Sequence, residues 1–278
     1  MEMKYNLILA VLASVTLCGN ATAGEVLDRV EKNKELVVAI DTAIPPTSFL
    51  DEQGNPAGFD IDVANEIAKR LGAKARFVTP SWDVMTAGKW SGRWDVAVAS
   101  MTPTMERAKV LDFPAIYYAA AAALVVNSAN TTIAKPEDAS GKRIGVQGAS
   151  TYEYYLNRTL KIGAKGEFKV DYKIDNAKTV AYDSEGLSLD DLRLGDGVRL
   201  DAAIASEQAV NGAIKAGYPI KRIGKALFAE PLAIAIDKGD QDFGQKLHQI
   251  VGEMRADGTL KVLSEKWFKT DYVTGSPQ

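Results

Sequence analysis

Arg107 stands in the run Met101-Thr102-Pro103-Thr104-Met105-Glu106-Arg107-Ala108, and its guanidinium is a permanently charged planar fork suited to two parallel bonds with a carboxylate. Paired with Glu106 or Asp112 instead, it would be an ordinary surface cation, an arrangement that stabilises little. Ser150 and Thr151 open a predicted helix at Tyr152, with Glu153 placed as a capping partner. The unpaired N–H groups of such a start either form an anion site or are simply capped. Ser100 and Thr102 follow a β-rich run, where each hydroxyl bonds a ligand or its own backbone. The lone histidine, His248, sits on a predicted helix beside Phe243, Leu247 and Val251. A metal site or a Ser-His-Asp triad needs partners that the sequence does not place around it, so no metal, no cofactor and no catalytic residue is expected.

Alternating strand and helix signals carry these residues, the pattern of an α/β fold with largely parallel strands. Leu36 to Ile40, Arg76 to Val78, Asp95 to Ala99, Leu124 to Val126, Ile144 to Val146, Asp201 to Ala205 and Ala233 to Ile236 read as strands. Between the first two, Ile61, Val63, Ala64, Ile67, Ala68 and Leu71 recur at helical spacing, Asp60 and Asp62 suit the positive end of the dipole, and Gly72 ends the run. Further helices are predicted at Thr151 to Leu160, Ser206 to Ala216, Asp240 to Asp257 and Leu260 to Phe268. Tyr117 to Ala123 contains five consecutive alanines; such small side chains suit either two strands passing close together between lobes or a plain buried strand.

The 278 residues are 46% hydrophobic and 25% charged, enough for two cores and so for two domains. Lys4, the apolar run Leu7 to Leu17 and the small residues of Ala21-Thr22-Ala23 form an export signal, with cleavage expected after Ala23. Cys18, the single cysteine, lies inside that signal and is preceded by Leu17, a poor fit to a lipoprotein site. Its removal excludes disulfides and thiolate chemistry. A net charge of −3 without a basic stripe excludes the electrostatic footprint of a nucleic-acid binder.

Gly58-Phe59-Asp60-Ile61-Asp62-Val63-Ala64, the Met101 to Ala108 run, Leu111-Asp112-Phe113, Gly145-Val146-Gln147-Gly148-Ala149-Ser150-Thr151 and Leu200-Asp201-Ala202-Ala203-Ile204 occur in this order. Together they resemble the extracellular solute-binding proteins of family 3, the periplasmic amino-acid receptors of ABC importers. The resemblance implies a two-lobed α/β periplasmic-binding-protein fold, a Venus flytrap with two hinge strands. Lobe 1 would take residues 24–118 plus 233–278, lobe 2 residues 123–227, and the crossovers 118–123 and 228–233, after a signal peptide at 1–23. It further implies a monomeric periplasmic protein that hands an amino acid or related carboxylate-bearing molecule, an opine included, to an inner-membrane permease. Cyclohexadienyl and arogenate dehydratases share this scaffold, so an enzyme is the alternative, with Glu207 as its acid if burial raised that carboxyl.

By the same resemblance, Arg107 grips the ligand's α-carboxylate, Ser100 and Thr102 contribute hydroxyl or backbone bonds, and Ser150 and Thr151 face Arg107 from the other lobe. Trp82 matches an aromatic that packs on the ligand, or is a core residue; Asp41 matches a side-chain contact, or is a turn residue. One position departs from the pattern: where relatives carry an aspartate for the α-ammonium, this chain has Ser206, followed by Glu207. Ile44 likewise stands where many relatives stack a tyrosine. A serine does not neutralise a buried ammonium. Either Glu207 turns into the cleft, or the ligand has no free α-ammonium.

Overall fold

A computed structural model describes residues 25–274; the predicted signal, its cleavage after Ala23 and Cys18 lie outside the described residues. The chain begins with α1 (Glu25–Asn33), β1 (Glu35–Ala39), β2 (Ala43–Ile44), β3 (Ser48–Leu50), β4 (Pro56–Ala57), α2 (Phe59–Arg70), β5 (Lys74–Val78), α3 (Trp82–Thr86) and β6 (Val96–Met101). It continues with β7 (Leu111–Asn127), β8 (Arg143–Gln147), α4 (Thr151–Leu156), β9 (Lys178–Tyr182), α5 (Glu185–Leu192), β10 (Ala202–Ser206), α6 (Glu207–Lys215), β11 (Ile220–Ile223), β12 (Ala229–Asp237), α7 (Gln241–Ala256) and α8 (Thr259–Phe268).

The strands run side by side in the order β5-β1-β6-β12-β7-β10-β8-β9, with β11 also paired to β7. In each half, both faces of the sheet are buried, which is why β1, β6 and β10 read as near-continuous apolar runs rather than alternating ones. Leu36, Val38 and Ile40 of the first half pack under α2 and α7 with Ile67, Leu247 and Ile250. The intervening Ala39, with Ala97 and Met101, packs on the opposite face with Met85, Trp90 and Trp94. In the second half Leu124, Val126 and Ile204 pack with Tyr152 and Tyr155 of α4, while Val125, Ala203 and Ala205 pack with Leu189 and Val210. These separate cores are the two lobes of the flytrap.

β7 and β12 join the halves as an antiparallel pair, with Ala119, Ala120 and Ala121 opposite Pro231, Glu230 and Ala229. Ala122 and Ala123 then pair with Ser206 and Ala205 of β10. The alanine run therefore lies where β7 leaves one core and enters the other, and its short side chains leave room between the lobes.

Gly58, just before α2, adopts φ 127°, a conformation that side chains rarely allow. A Cβ there would also strike the Thr47 carbonyl, the group that accepts the Asp60 N–H at 2.9 Å. The glycine thus fixes how α2 presents Asp60 beneath the cleft.

Helix α4 is shorter than its sequence predicts. It stops at Leu156 because Arg158 turns left-handed, with φ 58°, and the amides of Thr159 and Leu160 both return to the Tyr154 carbonyl. Helices α1, α3 and α5 and strands β2, β3, β4, β9 and β11 were not expected from the sequence; most are too short for a periodic signal.

Candidate functional site

The lobes are closed on each other. Met105 donates its amide to Lys161 O at 3.1 Å, Gly163 donates to Pro103 O at 2.9 Å, and Thr104 bridges to Ile162. The space left between them is only about 30 Å³, and Arg107, Ser100, Thr102, Trp82, Ser150, Thr151 and Ser206 all border it.

Arg107 is the one basic side chain on this lining. It follows the β6 end on a single 3-10 turn, Arg107–Lys109, and is 3% exposed. Its Nη1 donates to Thr102 O and its Nη2 to Ala149 O, both at 2.9 Å, while Nε is buried without a partner. Neither acidic neighbour in sequence holds it: Glu106 pairs with Lys109 and Asp112 with Lys238. Burial lowers its pKa, although a guanidinium stays charged. Glu230 acts on it through space, but the groups it bonds are two neutral carbonyls, so no anion is paired with it directly.

Trp82 lies against the guanidinium, with Arg107 Cζ 5.2 Å from the ring centroid. Its indole N–H donates across the cleft to Ala149 O at 3.2 Å. Ala149 is left-handed, with φ 54°, which turns its carbonyl toward both donors. Ser150 caps α4, its Oγ accepting from Glu153 N at 3.3 Å, and Glu153 reaches back to accept the Ala149 amide at 2.7 Å.

The hydroxyls of Thr102 and Thr151 meet a carboxylate of the protein itself. Glu230 Oε1 accepts from Thr102 Oγ1 at 3.0 Å and from Thr151 Oγ1, and Oε2 accepts from Tyr152 OH at 3.0 Å. Glu230 sits on β12 between the lobes, 2% exposed, and burial raises its pKa against the pull of these donors and of Arg107. Sequence reasoning missed it, yet a signal existed: one acid inside Leu227-Phe228-Ala229-Glu230-Pro231-Leu232 is a charge that the fold has to bury.

Ser100 belongs to a second buried network. Its Oγ donates to Asp60 Oδ2 at 2.8 Å and meets Tyr118 OH at 2.7 Å, while Tyr117 OH donates to Asp60 Oδ1 at 2.7 Å. Burial pushes the Asp60 carboxyl up to about 7 despite these donors. The sequence casts Asp60 as a helix-start residue; its neighbour Asp62 is the one that stays outside, held by Lys266 and Trp267.

Two candidate residues are not brought to the cavity. Glu207 turns outward to Arg222, with Oε1 2.6 Å from Nη1, because α6 directs its first residue away from the cleft; it is no substitute for the missing aspartate and no candidate acid. Asp41 is a turn residue whose Oδ1 accepts the Ala43 amide at 3.0 Å. His248 is exposed and bonded to the Pro114 carbonyl.

Ser206 does border the cavity, and it brings Glu185 with it. Glu185, the first residue of α5, is 5% exposed, and its Oε2 accepts from both the amide and the hydroxyl of Ser206, each at 2.8 Å. Burial, opposed by those two bonds, pushes its carboxyl up to about 7. Nothing in Asp183-Ser184-Glu185-Gly186-Leu187 distinguishes this acid from a solvated helix start. Among the described residues no group of acids, histidines or cysteines is arranged to hold a metal, and no helix is long and apolar enough to cross a membrane.

The family model of the bacterial extracellular solute-binding proteins, family 3, matches residues 36–270. The chain is 30% identical over 265 residues to the L-cystine-binding protein TcyJ of Escherichia coli (strain K12), covering 95% of this chain and 93% of that one. Among solved structures it is similar to an ancestral arginine-binding protein bound to arginine, with TM-score 0.74, 33% identity and coverage of 84% and 98%. It is also similar to an ancestral amino acid-binding protein described as a precursor of cyclohexadienyl dehydratase, with TM-score 0.75, 29% identity and coverage of 87% and 99%.

Proposed function

Because the chain belongs to the bacterial extracellular solute-binding proteins of family 3, we propose that it is the periplasmic binding component of an ABC importer for an α-amino acid or a close carboxylate-bearing derivative. Buried Arg107 carries this reading: its Nε has no partner and its two other bonds go to neutral carbonyls. A ligand carboxylate that displaces the Ala149 carbonyl gives the guanidinium a directly bonded anion and the acceptor that Nε lacks.

The lobes run to residue 118 and from 233 on one side and over 123–227 on the other, with β7 and β12 as the hinge. Capture is closure: Arg107 and Trp82 come from the first lobe, Ala149 and Thr151 from the second, and the bonds that now tie Ala149 to the opposite lobe pass to the ligand. The closed form, selected by its ligand, is what an inner-membrane permease recognises. The protein acts as an exported monomer and makes or breaks no bond in its ligand. The dehydratase-like neighbour is itself an amino acid-binding protein, and the acid that an elimination would need at Glu207 faces Arg222.

A thermal-shift screen of amino acids, opines and simple organic acids tests the proposal. A ligand at a hundred times its dissociation constant stabilises by about 2.7 kcal/mol. For a chain of this size that raises Tm by roughly 5–11 °C. No shift with any α-amino acid or carboxylate would refute it.

A further inference from the structure

Ser206 occupies the position where the family resemblance leads one to expect an aspartate for the ligand's ammonium, and the structure supplies a carboxylate there from a different element. We propose that Glu185, at the start of α5, accepts the ligand's α-ammonium, so that the cleft is built for a zwitterion with its carboxylate on Arg107. This rests on the binding function proposed above and adds to it a requirement for a free ammonium group.

The geometry gives Glu185 one committed oxygen and one open one. Oε2 takes both Ser206 donors, and Oε1 accepts no hydrogen bond among the described residues. Oε1 is also absent from the fully enclosed, partnerless atoms, and Glu185 and Ser206 both border the cavity. The charges that act on Glu185 are of its own sign, Glu230 and Asp41, and its Oε2 bonds come from neutral donors. A carboxylate placed this way needs a cation, and an ammonium brings three donors with its charge.

The same geometry accounts for the serine. Ser206 Oγ donates to Glu185 and accepts the Ala209 amide at 3.2 Å, so one hydroxyl caps α6 and holds the glutamate in place. An aspartate at 206 would set two carboxylates against each other and force one to stay protonated.

Calorimetric titration tests the assignment. Intact protein and the variant Glu185→Gln are each titrated with L-cystine, L-arginine and L-lysine, and with their counterparts lacking the α-amino group, dithiodipropionate, guanidinopentanoate and aminohexanoate. Intact protein should prefer an amino acid over its counterpart by roughly a hundredfold, the loss of a charge-assisted pair. In Glu185→Gln, whose amide oxygen still accepts from Ser206, that preference should fall below about threefold, with affinity for the counterpart unchanged. Arg107→Ala should weaken both members of a pair alike. A Glu185→Gln protein that keeps the preference, or an intact protein that binds both members equally, overturns the ammonium site while leaving carboxylate capture intact. Intact protein that binds none of the six overturns the ammonium site, and together with an absence of any shift in the thermal screen it overturns carboxylate capture as well.

Discussion

At the scale of single residues, the site is a set of charges that the protein leaves partly unmet. Arg107→Ala should weaken binding of L-arginine or L-cystine by at least about a hundredfold, since charge-assisted bonds contribute roughly 1.5–3 kcal/mol each. Arg107→Lys should recover only part of this, because an ammonium does not reproduce the fork. Calorimetry together with circular dichroism checks it, and a folded Arg107→Ala protein binding within about threefold of the parent would place the carboxylate elsewhere. The residues legible in the sequence are those whose type and local motif point the same way: Arg107, Ser100, Thr102, Trp82, Ser150, Thr151 and Ser206 all meet at the cavity. The acids Asp60, Glu185 and Glu230 were not legible as site residues. Their importance comes from burial, and burial is set by strands and helices distant in the chain. Glu207 shows the converse error, since an acid next to the vacant position in sequence points the wrong way in space.

At the scale of elements, positions that look unremarkable in sequence decide where the site groups sit. Gly58→Ala combines a φ of 127° with a collision at the Thr47 carbonyl, so it should destabilise by about 2 kcal/mol or more. In a chain of this size that is a fall in Tm of roughly 4–8 °C, measurable by calorimetry, and an unchanged Tm would show that the loop yields freely. The long amphipathic or fully apolar elements, α2, α7, α8, β1, β6 and β10, were readable from periodicity. Helix α5 was not, because Glu185-Gly186-Leu187-Ser188-Leu189-Asp190-Asp191-Leu192 has weak apolar spacing and a glycine in its first turn. Strand β7 was read at Leu124 to Val126 and, over Tyr117 to Ala123, as either an interlobe crossover or a plain buried strand; alanine has little strand preference of its own, and the run is strand by pairing with β12 and β10.

At the scale of the whole molecule, the buried acids set a pH dependence. Asp60 rises from an ordinary 3.8 and Glu185 from 4.5, each to about 7, so between those values the folded chain holds protons that the unfolded chain has released. Stability therefore falls as pH rises through the window, and its full contribution is present only below the unfolded values. Calorimetric scans should show Tm declining from about pH 5 to about pH 8, less steeply in Glu185→Gln; a flat or rising Tm would contradict the burial of these acids. The paired hinge strands carry a different consequence, one of folding order. In the first lobe β12 must insert between β6 and β7, so that sheet is not continuous until the chain up to Asp237 is in place. Strands β7, β8, β9, β10 and β11 form the second lobe's sheet from one unbroken stretch, at a lower cost in loop closure. The first lobe's sheet, with Arg107 waiting beside it, is thus the last part of the clamp to become whole.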